Sequence, residues 1–166
     1  MKRRYVLLLA SIVFVLDQLT KRSIVNHFYP GQSIPIVPSL LSLTYVQNTG
    51  GAFGILPHGT LLLAAAAVLA VICVGVYTIR YQGTMPRVLA VGIGLPLGGA
   101  VGNLIDRMVR GFVVDFIDAH IQIHQWPVFN VADSAICIGV GCLVVLNWQG
   151  SARNSVPHNK TQEEHA

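Results

Sequence analysis

GTLLLAAAAVLAVICVGVYTI, residues 59–79, is a run of 21 residues without a charge. A hydrocarbon core about 30 Å thick is crossed by roughly 20 apolar residues in a helix, so this run predicts a membrane span. His58 and Arg80 bound it. Further along the chain, 18 uncharged residues separate Arg87 from Asp106, and 19 separate Asp133 from Arg153. Toward the N-terminus only 12 uncharged residues lie between Arg4 and Asp17, although a helical pattern continues to about Val25. The sequence therefore predicts a mainly α membrane protein with four transmembrane helices, near residues 5–25, 60–79, 88–105 and 131–148. The first is the weakest on hydropathy.

Composition agrees. Of 166 residues, 53% are hydrophobic and 11% charged, against about 25% charged in soluble domains. One domain, residues 1–150, accounts for the length, followed by a polar tail, 151–166, read as cytoplasmic and disordered. Cys73, Cys137 and Cys142 lie in apolar runs and form no disulfide framework. The net charge of +4 is modest and the basic residues make no stripe, so nucleic acid is not an expected partner. Lys2-Arg3-Arg4 before an apolar run resembles the start of a secretory signal, but no small-x-small cleavage site follows. A retained first helix is expected.

Orientation follows from the basic residues. With the N-terminus inside, seven of them (Lys2, Arg3, Arg4, Arg80, Arg87, Arg153 and Lys160) are cytoplasmic, and four (Lys21, Arg22, Arg107 and Arg110) are outside. That asymmetry predicts N-in and C-in. Trp126 and Trp148 fall near opposite ends of the fourth span, at the depth of aromatic belts. Of the seven acidic residues, Glu163 and Glu164 belong to the tail. The other five, Asp17, Asp106, Asp115, Asp118 and Asp133, all fall at or beyond the outer ends of the helices. In the long outer segments, 26–59 and 105–130, LSLTYVQ alternates with period two and GFVVDFID is β-prone. Together they predict a small β-like cradle at the outer surface, with an interfacial loop or helix beside it.

Candidate sites follow from these charges. Asp17 and Lys21 stand one helical turn apart and read as an interfacial ion pair, with Lys21 reaching toward water; a site-adjacent role stays open, since an acidic residue within a span is a functional candidate. NTGGAFG, residues 48–54, reads either as a turn leading back to the membrane or as a backbone clamp for an extended peptide. Gly94, Gly98, Gly99 and Gly102 form a small-residue face for close helix packing. Asn103, Asp106 and Arg107 follow it. The Asp106-Arg107 pair is expected to tie the helix end to the next loop, with Arg107 available for a carbonyl or carboxylate.

Asp115, in FVVDFI, and Asp133, in FNVADSAI, are carboxylates set among apolar residues. If the fold unites them, they share one proton: the charged member activates water and the protonated one donates to a carbonyl oxygen. If it does not, each is a separate helix or strand cap. His120 and His124 share a helical spacing, yet HEXXH is absent and solvated histidines are the expected reading, with no metal. Ser134 has no evident base. A small transporter using protons or cations is the alternative function. It favours carboxylates spread through the membrane depth, whereas these lie at one side.

The blocks DQLTK (17–21), NTGGAFG (48–54), GGAVGNLIDR (98–107), GFVVDF (111–116) and FNVADS (129–134) resemble, in their order and four-span layout, bacterial lipoprotein signal peptidase (signal peptidase II). This resemblance implies an inner-membrane aspartyl endopeptidase that cleaves prolipoproteins just before a diacylglyceryl-modified cysteine. It also implies inhibition by globomycin; no cofactor is expected, and nothing in the sequence requires more than a monomer among membrane lipids. The catalytic pair maps onto Asp115 and Asp133. Asn48, Gly50, Asn103, Arg107 and Asn130 match site-lining or supporting positions, and Asp17 and Lys21 match a supporting polar motif.

Overall fold

The computed structural model describes residues 2–51, 59–81, 83–121 and 124–154. Four helices, α1 (Arg3–His27), α2 (Thr60–Arg80), α3 (Arg87–Arg110) and α4 (Val131–Asn154), carry four strands, β1 (Ser33–Val37), β2 (Leu41–Asn48), β3 (Val113–Ile121) and β4 (His124–Gln125). By length and composition α2, α3 and the Val131–Trp148 part of α4 can each cross a membrane. α1 falls short on composition because Asp17, Lys21 and Arg22 interrupt its apolar sequence. Every helix runs past at least one of its expected bounds. α4 continues to Asn154, and residues 155–166 lie outside the described set.

α3 is the central helix, packing against α1, α2 and α4. Its glycines explain why. A Cβ on Gly98 would strike the backbone oxygen of Ala10 in α1, and one on Gly99 would come within 2.5 Å of the Ala132 oxygen in α4. The small-residue face thus serves two neighbours at once, because successive helical residues point about 100° apart. α2 buries little: Leu61 is 84% exposed and Ile79 65%, as suits a helix whose solvent is lipid.

The strands form one antiparallel array in the order β1-β2-β3-β4. Both predicted strand segments are present and adjacent, with Asn48 paired to Val113 and Val46 to Asp115. The first four residues of β3, Val113 to Phe116, are buried on both faces of the strand. Val114 and Phe116 pack with Ile24 and Tyr45 under the sheet, so period-two alternation turns Val113 and Asp115 to the other face. A one-residue slip would bury Asp115 in that apolar cluster.

Gly111 makes the turn that delivers β3. It takes φ +79° just after α3, and its N–H donates to the Arg107 carbonyl. Glycine adopts that left-handed geometry without the clash of a Cβ.

Candidate active site

Asp115 and Asp133 line one cavity of about 280 Å³, together with Asn48, Asn103, Arg107 and the 126–129 segment. Asp115 arrives from β3 and Asp133 from the first turn of α4. The segment that joins them pairs with β3 itself: Phe129 and Ile117 exchange backbone hydrogen bonds of 3.0 and 2.7 Å. This pairing sets Asn130 and the start of α4 beside Asp115.

Asn130 caps α4. Its Oδ1 accepts the Asp133 N–H at 2.9 Å, while Asp133 Oδ2 accepts the Asn130 N–H at 3.2 Å. This is a reciprocal capping box, so Asp133 is a helix cap and a cavity wall at once. The two readings offered for it by the sequence are not exclusive. Only Oδ2 is used in the cap. Oδ1 accepts from Asn103 Nδ2 at 2.8 Å.

Three asparagines hold the two carboxylates, and each is oriented the same way. Asn48 Oδ1 accepts the Gly50 N–H at 2.8 Å, which turns its Nδ2 to Asp115 Oδ2, also at 2.8 Å. Asn130 Oδ1 is taken by the Asp133 N–H, and its Nδ2 reaches Asp115 Oδ1 at 2.6 Å. Asn103 Oδ1 accepts Lys21 Nζ at 2.8 Å, so its Nδ2 faces Asp133. A fixed acceptor end leaves only the donor end for a carboxylate. Among the described residues no cation pairs directly with Asp115 or Asp133.

Their electrostatics follow. Asp115 is 2% exposed. Burial, and then the nearby charge of Asp133, push its pKa from 3.8 to about 7, against the opposing hydrogen bonds from Asn48 and Asn130. Asp115 therefore holds its proton well above the usual carboxylate range, as a buried carboxyl beside another does. Such a pair can activate a water with one member and protonate a carbonyl oxygen with the other.

Asp17 and Lys21 require a correction. The ion pair is present but buried in protein, and Lys21 does not reach for water: both side chains are 0% exposed. Lys21 Nζ lies 2.9 Å from Asp17 Oδ2 and 3.0 Å from Asp106 Oδ2. With Asn103 as third acceptor, all three of its N–H donors are used. Asp17 Oδ1 also accepts the Ala132 N–H at 2.9 Å, and Asp106 Oδ2 the Val114 N–H at 3.1 Å. The expected tie between the end of α3 and the next segment is thus real. Asp106 and Arg107, however, act separately, since adjacent helical residues diverge. Arg107 donates to the Gly50 carbonyl at 3.2 Å and to the Asn103 carbonyl at 3.3 Å. Its Nε is buried and has no hydrogen-bond partner among the described residues.

The remaining candidates lie elsewhere or play smaller parts. His120 Nε2 stands 3.4 Å from Asp118 Oδ1, and Asp118 accepts Thr44 Oγ1 at 2.6 Å. The His124 side chain lies outside the described set, as do residues 52–54 of NTGGAFG. Among the described residues, no three His, Cys, Asp or Glu side chains come together as a metal site. Ser134 Oγ donates to the Asn130 carbonyl. Sequence reasoning did not single out the cavity wall of Pro127, Val128, Phe129 and Cys137. The apolar WPVF directly before the capping residue was the available signal.

Comparison with known proteins is consistent with this geometry. A family profile described as signal peptidase (SPase) II matches residues 9–149. A lipoprotein signal peptidase of Syntrophotalea carbinolica is 42% identical over 153 residues, covering 91% of this chain and 95% of that protein. One of Moorella thermoacetica is 46% identical over 144 residues, covering 86% and 90%. A bacterial membrane enzyme solved at 2.3 Å by the in meso method superposes with a TM-score of 0.81 at 32% identity, covering 97% of this chain and 94% of that one.

Proposed function

Because this chain belongs to the signal peptidase II family, we propose that it cleaves signal peptides from diacylglyceryl-modified prolipoproteins with Asp115 and Asp133 as its catalytic pair. The observation that carries this assignment is their shared cavity, in which both carboxylates are held by amide donors and neither by a cation. A scissile carbonyl enters beside the pair. Asp133, ionised, takes a proton from water as the water attacks the carbonyl carbon. Asp115, protonated, donates to the carbonyl oxygen; on collapse Asp115 takes a proton back from the gem-diol while Asp133 passes its proton to the departing nitrogen, which releases the new amine and restores the pair. Arg107 Nε offers a donor for a main-chain carbonyl of the substrate. Asn48, Gly50, Asn103 and Asn130 orient the pair, and Asp17 and Lys21 fix Asn103 from behind. No metal or other cofactor enters this mechanism.

The proposed setting is the bacterial inner membrane, with α1 as a fourth span, both termini cytoplasmic and the site at the outer face. Two facts support α1 in that role. Its 25 residues reach about 37 Å at the helical rise per residue, and its mid-helix charges, Asp17 and Lys21, face protein rather than lipid. Acyl chains of the substrate would lie in the bilayer while the scissile bond sits at the depth of the pair. A monomer suffices, since every group named belongs to one chain. The transporter reading finds no support: the chain's relatives are peptidases, and its buried carboxylates gather at one end.

Processing of a diacylated prolipoprotein by the purified protein in detergent tests the assignment. Cleavage just before the modified cysteine, blocked by globomycin and indifferent to a chelator, is expected. Cleavage that required a divalent metal would overturn the two-aspartate mechanism.

A further inference from the structure

At the opposite end of the helices from Asp115 and Asp133, a second cavity of about 670 Å³ opens between the start of α1 and the end of α2. Lys2, Arg3, Ile79, Arg80, Tyr81 and Gly83 line it. Three of the six carry positive charge and none is acidic. Among the described residues Lys2, Arg3 and Arg80 form no ion pair, and all the described aspartates lie toward the other end. Asp17, the only one on α1, is 14 residues from Arg3, or about 21 Å of helix.

One lining residue, Tyr81, packs against a buried apolar cluster of Val6, Met85, Ala90 and Ile93. Arg3 reaches the Ile79 carbonyl at 3.5 Å, bridging the two helices at a point where α2 leaves its last carbonyls without intrahelical donors. Cations converge here from two helices onto a concavity, with lipid-facing Ile79 at its edge.

We propose that this cavity binds the phosphate headgroup of an anionic phospholipid, Arg3 and Arg80 supplying the charged donors and Ile79 meeting the acyl chains. Basic pockets between membrane helices bind such headgroups, and the volume falls in the range of about 300–1,000 Å³ usual for small-ligand sites. Arg4 and Arg87 provide the contrast. They carry the same charge at the same end, but Arg4 stacks over the Tyr5 ring at 5.1 Å, and neither lines the cavity. The proposal rests on membrane insertion alone. Its failure would leave the peptidase assignment standing.

The test is native mass spectrometry of the full-length protein titrated with phosphatidylglycerol in detergent, with phosphatidylcholine and inorganic phosphate as competitors. One phosphatidylglycerol is expected to bind saturably, in preference to phosphatidylcholine and without displacement by phosphate. Arg3→Gln and Arg80→Gln should each weaken it roughly five-fold, the effect of about 1 kcal/mol per basic residue near a charged lipid surface. Arg4→Gln and Arg87→Gln should leave it nearly unchanged. Retained prolipoprotein cleavage in all four variants checks that they fold. Equal losses in all four, or none, would show only diffuse surface charge and overturn the proposal, and displacement by phosphate alone would overturn the lipid assignment.

Discussion

Asp115→Asn and Asp133→Asn each keep the shape of a side chain while removing a titratable proton. With either change the pair loses its acid or its base, so turnover should fall about 100- to 10,000-fold. Insertion and expression should stay near those of the parent, as read by membrane fractionation beside a processing assay. Parent-like turnover by either variant would remove that residue from the mechanism. The Asp115 proton also sets a pH dependence. Its pKa is raised to about 7, so cleavage should decline as pH rises through that value and the acid is lost. Asn48 donates to the ionised form of Asp115. Asn48→Ala should therefore raise the pKa further and move the alkaline limb to higher pH. A limb that moved downward would contradict this account. Stability carries the same sign. Because the folded pKa lies above 3.8, the folded state holds its proton more tightly, and stability is lost between about pH 4 and 7. Asp115→Asn, which buries no charge, should gain on the parent in thermal midpoint across that window.

Helix packing makes its own prediction at the glycines of α3. Gly98 faces backbone of α1 with no room for a Cβ, and a backbone carbonyl cannot swing aside as a side chain would. Gly98→Ala should cost about 1–3 kcal/mol, the usual penalty of overpacking. Gly75, in α2, has nothing within 4 Å of where an added Cβ would sit. There alanine should be neutral or stabilising by up to about 1 kcal/mol, because it is the better helix former. Thermal unfolding of both variants in one detergent is the comparison, and equal midpoints would refute it. The strand β3 is a second element whose placement decides function. Its alternation sends Val114 and Phe116 to the core and Asp115 to the cavity, and Gly111 sets where that alternation begins.

The protein as a unit is tied together behind its site. Lys21 of α1 meets Asp17 of its own helix, Asp106 of α3, and Asn103, which in turn holds Asp133 of α4. Asp106 adds the β3 backbone at Val114, and Asp17 the α4 backbone at Ala132. Removing Lys21 leaves Asp17 buried without a cation and Asp106 with only Arg110, whose Nε stands 3.4 Å away. Lys21→Met should accordingly destabilise by about 3–5 kcal/mol and slow cleavage as Asn103 loses its orientation. An unaltered unfolding midpoint would mean that the cluster is not the structural tie it resembles.

Much of this protein was legible along the chain. Spans 60–79 and 88–105 are local in origin, since a helix in lipid satisfies its backbone internally and needs only contiguous apolar residues. The gathering of Asp106, Asp115, Asp118 and Asp133 near one end of the helices fits the cost of a charge at mid-membrane; Asp17, expected at a helix end, instead lies well inside α1 and is buried against protein. Period-two alternation likewise marked β2, and β-prone composition marked β3. Asp115 and Asp133 stood out in the sequence by their apolar setting, and Asp17 had Lys21 one helical turn away. Not legible was that Asp106 joins the same lysine, or that three asparagines hold the other pair. Asp17 and Asp106 share the buried Lys21, and Asp106 also pairs with Arg110, whereas Asp115 and Asp133 receive only amide donors. That difference arises from the β2–β3 register and from close approach at Gly98, Gly99 and Gly102, which bring distant residues within about 3 Å, the range of a hydrogen bond. Such partnerships depend on three-dimensional position, which hydropathy and spacing do not encode.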